Sequence, residues 1–502
     1  MLEDTTTPGA PGWWLLRLGQ RLTAERDRFD RLEAYHKGRH PLPFGNRKMR
    51  EAYKRLQRQS RSNYVGLIAE TLLERLKVTG FRSGGSTSDS TDATAWDWWQ
   101  ANRMDSNSGL VHRAAVVMSR SYVIVGDGGD GQPLVTGEDP RQVIHESDPA
   151  DRYNIRAALK VWTDDVEDVA FGVLYLPDTV HYYRSSTPLH KANNPWAPST
   201  WNVDAVNTFA PDGVAVNPLG EVPVVPFVCR PDLSGAGLGE FEDVCDVQDR
   251  INTITLDLSV ISGMQAYRQR WVKGIDLEDE AGNPQTAFDP GADLLWATPE
   301  AQAQFGEFNA TDLSPLIKAI DSSVQTMCAI TRCPPHYVIG QVVNVSGDAL
   351  SALEAGLVCK VIEREQEFGE SWEAVYRLAG KVLGVDVPDD AEVIWKDPQL
   401  RTLTEMASAS VQLQASGVPW RTRMEMLDKT PQEIERMESQ RIDDAKLAAL
   451  AAPVPPAGNT PGAGAAPSDA PSTPAPSTPP KAAAGSAVVP PIPTAPIPMA
   501  VS

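Results

Sequence analysis

Residues Gly239–Ile275 read GEFEDVCDVQDRINTITLDLSVISGMQAYRQRWVKGI. The apolar residues Phe241, Val244, Val247, Ile251, Ile254, Leu258 and Ile261 recur at alternating steps of three and four, the period of a helix with one face packed against other helices. No proline interrupts the stretch, so the spacing predicts one helix from 240 to 275, a rod of about 50 Å at 1.5 Å per residue. A rod that long needs neighbours.

One neighbour follows an insert at 276–313. Ser314 and Pro315 read as an N-cap and a first-turn proline, and Leu316, Ile320, Val324 and Met327 carry on the same spacing until Cys333-Pro-Pro stops it. A third helix is expected after the short loop Gln341–Gly347, with Ser346 as its cap and Leu353, Leu357, Val361, Phe368, Trp372 and Val375 as its stripe, ending at Gly384. Gly356 and Gly369 inside it predict a kink.

Outward from these helices, residues 13–35 read as an amphipathic helix, 46–59 as a basic one, and Ser62 as the cap of a third. From Ser121 the pattern changes to short β-branched and aromatic runs separated by turn residues, a β-meander that ends with an apolar strand at 222–229. The isolated strand at 391–395 needs a distant partner, and the meander is the expected host. Helices are expected at 402–415, 420–427 and 431–450. Fifteen of the residues from 451 to 502 are proline and most others small or polar, a composition that cannot bury a core and predicts disorder. The fold class expected is α+β, predominantly helical.

The formal charge of −20 opposes broad adhesion to nucleic-acid phosphates. The charge is uneven: residues 1–80 hold 16 Lys and Arg against 9 Asp and Glu, and the basic helix at 47–58 is the one stretch suited to phosphate or an acidic partner. Five cysteines without a CxxC pair read as free thiols. No signal-like amino terminus and no run of 18 apolar residues occurs, so no export or membrane span is expected.

Motifs for catalysis are missing. Gly380-Lys381 lacks the flanks of a phosphate-binding loop, and HExxH and GxSxG do not occur. His36 and His40 have a helical ligand spacing, but Gly38 and Pro41 break the helix, so the pair reads as a solvated turn. Asp164, Asp165, Glu167 and Asp168 lie between two strands and read as a hairpin turn rather than a metal site. The stretch from Pro388 to Lys396 has the wrong spacing for a PD-(E/D)xK nuclease.

The order of these parts resembles the portal protein of tailed bacteriophages in its long-tailed siphophage form, over about residues 12–445. The stretches that carry the resemblance are Ser62-Asn-Tyr-Val-Gly-Leu-Ile-Ala-Glu with Gly80-Phe-Arg, Ser346-Gly-Asp-Ala-Leu-Ser-Ala-Leu-Glu, Lys360-Val-Ile-Glu-Arg, Phe368-Gly-Glu-Ser-Trp372 and Trp395-Lys-Asp-Pro398. The resemblance implies a wing, stem, clip and crown architecture with long stem helices and a β-meander wing. The parts would be a disordered start (1–11), wing (12–239), first stem helix (240–275), clip (276–313), second stem helix (314–335), tunnel-loop region (336–347), kinked wing helix with its returning strand (348–400), crown (401–450) and disordered tail (451–502).

It further implies a homo-oligomeric ring of twelve subunits at one capsid vertex, conducting double-stranded DNA during packaging and ejection. The implied partners are the terminase large subunit, a head-completion adaptor, and the major capsid and scaffold proteins, with no enzymatic role, no cofactor and no membrane. The implied locations are the virion and, during assembly, the host cytoplasm. Gln341, Val342, Val343, Asn344, Val345 and Ser346 would form a DNA-facing tunnel loop that, lacking positive charge, suits a sliding contact. Phe241, Val244, Ile251, Ile254, Leu258, Ile261, Leu316, Ile320, Val324 and Met327 would pack the stem. The alternatives are a DNA-processing nuclease or packaging motor subunit, which needs a metal triad or phosphate loop, and a helical adaptor or scaffold that binds protein only.

Overall fold

A computed structural model describes residues 4–43, 51–82, 93–185 apart from 130 and 165, 209–266, 270–274, 302–307, 311–340, 347–399, and 403–451 apart from 428 and 430. The tunnel-loop residues 341–346, most of the expected clip and the tail after Ala451 lie outside them. About half of the chain is helical and the strands are antiparallel, an α+β fold. Contacts divide it into a unit ending at Arg441 and a second beginning at Ile442; the described part of the second is the last turns of the helix Pro431–Ala451.

Helix α1 (Pro11–His36) starts at a proline in its first turn and serves two cores. Leu15, Leu18 and Leu22 pack against a sheet with Ile144, Leu159 and Leu174, whereas Phe29, Leu32 and Tyr35 join the larger helical core. That core also takes α3 (Tyr64–Leu73), α4 (Ala93–Ala101) and α5 (Met104–Met118). The Trp98, Trp99 and Trp372 rings are buried together around Phe81. The cap of α3 is Asn63, whose side chain accepts from Gly66 N, and not Ser62 as expected. Residue 66 must be glycine, since a Cβ there would lie 2.5 Å from the Asn63 amide nitrogen and 2.8 Å from His36 O.

The β-rich region is two sheets, not the single meander expected. Strands β4 (Val143–Ser147), β5 (Ile155–Asp164), β6 (Val169–Tyr175), β7 (Thr179–Ser185) and β8 (Phe209–Val216) form a five-stranded meander. Strand β2 (Arg120–Asp127) instead lies between β3 (Pro133–Glu138) and β9 (Val224–Val228) in a separate sheet. The β5–β6 connection is the hairpin turn expected at 164–168, with Asp164 Oδ1 accepting the amides of Val166 and Glu167.

The returning strand β12 (Glu392–Trp395) pairs with β1 (Val78–Arg82), not with the meander. Both strands flank the helical core, where Phe81 and Ala391 are buried, and packing there sets the pairing. The long helix α9 (Gly347–Leu383) is unbroken in its hydrogen bonding through Gly356 and Gly369. At Gly369 the indole nitrogen of Trp395 lies 3.5 Å from where a Cβ would sit, an ordinary packing contact.

Candidate stem and its root

The opening stretch of the sequence is not one rod. A short 3-10 turn at Glu242–Val244 leads into α6 (Cys245–Ala266), and the chain is extended again at β10 (Arg270–Lys273). The predicted continuation of the helix to Ile275 is therefore corrected. Trp271 and Val272 favour extended backbone, pair with Gly306 and Phe305 of β11 (Gln304–Glu307), and are followed by Gly274 at φ +84°. Twenty-two helical residues make a rod of about 33 Å.

Helix α7 (Ser314–Thr331) packs along α6. Its cap differs from expectation: Leu313 is the boundary residue, and the Asp312 carboxylate accepts the amide of Ser314, inside the first turn. Of the expected seam, Phe241, Val244, Ile251, Val324 and Met327 are buried. Ile254, Leu258 and Ile261 on α6, and Leu316 and Ile320 on α7, are only half-buried. Burial thus falls from the root, where the helices enter the body, towards the end nearer the β10–β11 ribbon. Leu256 is buried although it lies outside the three-and-four stripe. The exposed faces carry Asp246, Arg250 and Asp257 on α6 and Lys318 and Asp321 on α7, close to charge balance.

Two polar clusters fix the root. On one side Asn252 Oδ1 accepts from Ser62 N (3.0 Å), Ser62 Oγ (2.9 Å) and Gln248 Nε2 (3.1 Å). Gln248 Oε1 takes the amide of Tyr64, and the Tyr35 hydroxyl donates to Asp249 at 2.7 Å. Asn252 Nδ2 has only protons to give, so His40 Nε2, 2.7 Å away, is the acceptor and the ring is neutral there. Burial, with the Arg61 charge beside it, pushes the His40 imidazole below its ordinary range. His40 is fully buried and stacks on Tyr35, while His36 pairs with Glu70 at 2.9 Å. The expected solvated turn is corrected: both rings are structural.

On the other side, Glu240 lies 3.0 Å from Lys360 Nζ and 3.2 Å from Arg364 Nε, with all three side chains at most 6% exposed. The Lys360 ammonium also donates to Thr331 O at the end of α7 (2.6 Å). Arg364 also pairs with Glu367, which accepts the Arg230 amide. Burial works against the Arg364 charge, but Cys229, Glu240 and Glu367 outweigh it and hold its pKa up. Both helices of the pair are therefore tied to two adjacent turns of α9. The sequence reading assigned no role to this cluster; its signal is Lys360 and Arg364 at inward positions of an otherwise apolar stripe with Leu357, Val361 and Phe368.

The residues flanking the expected tunnel loop also meet. α8 (Pro335–Ile339) precedes it and α9 follows it. Arg75 donates to the Tyr337 hydroxyl (2.8 Å), Glu354 (3.1 Å) and Pro398 O (3.0 Å), and Tyr337 donates to Glu354 (2.9 Å). All five cysteines are free, and four are buried. Among the described residues, no group of three or more His, Cys, Asp or Glu is placed to hold a metal ion, and no helix is long and apolar enough to cross a membrane.

An antiparallel helix pair rooted in a mixed helix-and-sheet body, with a long helix crossing its base, is the frame on which comparison with known proteins bears. The profile of one family, the phage portal proteins of the SPP1 Gp6-like type, matches residues 16–447. The chain belongs to that family, a structural rather than an enzymatic one, and its function is that of a phage portal. It is similar to the portal protein of Mycobacterium phage D29, 30% identical over 384 residues that cover 72% of this chain and 75% of the relative. The portal protein of Mycobacterium phage L5 is 29% identical over 408 residues, covering 77% and 79%.

Proposed function

We propose that the chain closes into a ring of twelve subunits at one capsid vertex, with α6 and α7 as the stem around a channel for double-stranded DNA in packaging and ejection. The observation that carries this reading is the falling burial along the pair. Ile254, Leu258, Ile261, Leu316 and Ile320 stay half in water within one chain, and a neighbouring pair on each side in a cyclic ring removes them from it. Near charge balance on the exposed helix faces suits a wall that a polyanion passes without being held, since phosphate contacts accumulate affinity steeply.

In this reading the body around α1, α3, α4 and α5 and the two sheets is the wing, the segment around the β10–β11 ribbon the clip, and the helices α10 (Leu403–Ala415), α11 (Trp420–Glu425) and α12 (Pro431–Ala451) the crown. Residues 341–346 form a tunnel loop, rooted by the Arg75–Tyr337–Glu354 cluster on both of its flanks. The clip docks the terminase large subunit and later a head-completion protein, and the wing meets the major capsid and scaffold proteins. The part played is structural, in the virion and, during assembly, in the host cytoplasm.

Electron microscopy of the purified full-length protein with native mass spectrometry tests this. Rings with a central hole of about 20 Å or more, wide enough for a duplex, are expected. A compact dimer that buries the α6–α7 seam refutes it.

A further inference from the structure

Residues 39–61 hold eight Lys and Arg against one Glu, in a chain whose net charge is −20. Part of that stretch is the helix α2 (Glu51–Gln59), which packs on α6. Its sides differ: Leu56 is half-buried and Gln57 buried, with the Gln57 amide donating to Pro43 O at 2.8 Å, while Lys54, Arg55 and Arg58 are exposed. Spacings of three and four place those three cations on one face. Arg61, just after the helix, donates to Gly38 O at 3.0 Å, next to exposed Arg39. Among the residues whose side chains are described, neither Arg55 nor Arg58 has a carboxylate partner.

We infer that the face formed by Lys54, Arg55 and Arg58, with Arg39 beside it, is a sequence-independent contact for the phosphate backbone of double-stranded DNA running along the stem. The inference rests on the proposed conduit reading. Duplex DNA presents one negative charge per about 1.7 Å of its axis, a density suited to a face on which Lys54, Arg55 and Arg58 outnumber the one acid, Glu51, at the start of the same helix side. A second copy of this chain is the poorer partner, because the exposed faces of its α6 and α7 set Asp246, Asp257 and Asp321 against Arg250 and Lys318 and so offer little net negative charge. A cationic band on an otherwise acidic protein gives DNA a defined contact without lining the whole path with positive charge.

The test is fluorescence anisotropy of a labelled random-sequence duplex with the full-length protein across a salt series, with oligomeric state checked by native mass spectrometry. Each phosphate contact contributes about 0.9 to the slope of log affinity against log salt, so R55Q/R58Q is expected to make that slope shallower by about 1.8 per engaged chain. Between about 50 and 200 mM salt the variant then loses roughly tenfold less affinity than the parent. The control R152Q/R156Q, which removes two arginines exposed elsewhere, leaves the slope unchanged. An unchanged slope for R55Q/R58Q, an equal fall in the control, or rings of the parent that come apart in R55Q/R58Q with the slope retained overturns the inference; the last result assigns the face to a subunit contact. A parent protein that forms no rings but shows the slope difference refutes the ring and keeps this contact.

Discussion

Replacing Glu240 by leucine tests how the α6–α7 pair is held to the body. The substitution takes away the carboxylate that faces both Lys360 and Arg364, and leaves two cations in a site where neither side chain is more than 6% exposed. Arg364 keeps the Glu367 carboxylate, but Lys360 keeps only the Thr331 carbonyl and so carries the uncompensated charge. Removing one partner of a buried ion pair costs about 3–5 kcal/mol, because the remaining charge is no longer offset. The triple variant E240L/K360M/R364M also removes the stranded cations. Apolar groups of similar volume in place of a buried ionic network are often neutral or stabilising by about 1–4 kcal/mol. Urea unfolding followed by tryptophan fluorescence, at one fixed protein concentration, is the assay. E240L is expected to have a clearly lower midpoint, with the triple variant at or above the parent. A midpoint for E240L that matches the parent, or a triple variant as weak as E240L, refutes the reasoning.

Acid should weaken the fold through His112, which is fully buried, accepts the Trp372 indole N–H at 2.8 Å and is pushed by burial from 6.5 down to about 4. Its neutral form is native, so its contribution is intact above about 6.5 and is lost as pH falls towards 4, by about 3 kcal/mol in all; a stability–pH profile that H112Q leaves unaltered contradicts this. Asn63→Ala should cost about 1 kcal/mol by removing the α3 cap, measured as a shift in the urea midpoint. Met327→Ala, at the buried root, should destabilise the chain by about 2–5 kcal/mol, whereas Leu258→Ser, in the half-buried part of the seam, should alter ring formation more than unfolding; native mass spectrometry beside denaturation separates them. Deleting Val342–Val345 should leave rings intact and impair packaging or retention of DNA, and unchanged packaging removes the tunnel-loop assignment.

The helices were legible where an apolar stripe runs unbroken along one side. α7 and α9 follow their three-and-four spacing, and α1 does so although its stripe meets the sheet core at Leu15–Leu22 and the helical core at Phe29–Tyr35. The reading failed where the deciding contact is distant in sequence. Strand β12 has no local signal for pairing with β1 more than 300 residues earlier, and β9 joins β2 rather than the meander beside it in sequence. The lack of a proline also carried the α6 helix too far: the apolar period ends at Ile261, and Trp271 and Val272 pair instead with Gly306 and Phe305. At the root, Asn252, Gln248, His40 and Ser62 are common surface residue types, and burial converts them into a grip on α6 only once the 36–64 segment folds against it.

The two root clusters explain why the seam can stay half wet without the pair collapsing onto the body. A helix pair held only by apolar contact would lie down to cover Leu258 and Ile261, because burial of apolar surface carries no direction. Hydrogen bonds and ion pairs do carry direction. Asn252 and Gln248 face one side of α6, and Glu240 just before it faces Lys360 and Arg364 of α9, so a tilt of the pair towards the body breaks polar contacts of buried side chains on one side or the other. The apolar remainder of the seam is then left uncovered within one chain, and in the proposed ring the same helix pair of a neighbouring subunit is the surface of matching length and pattern.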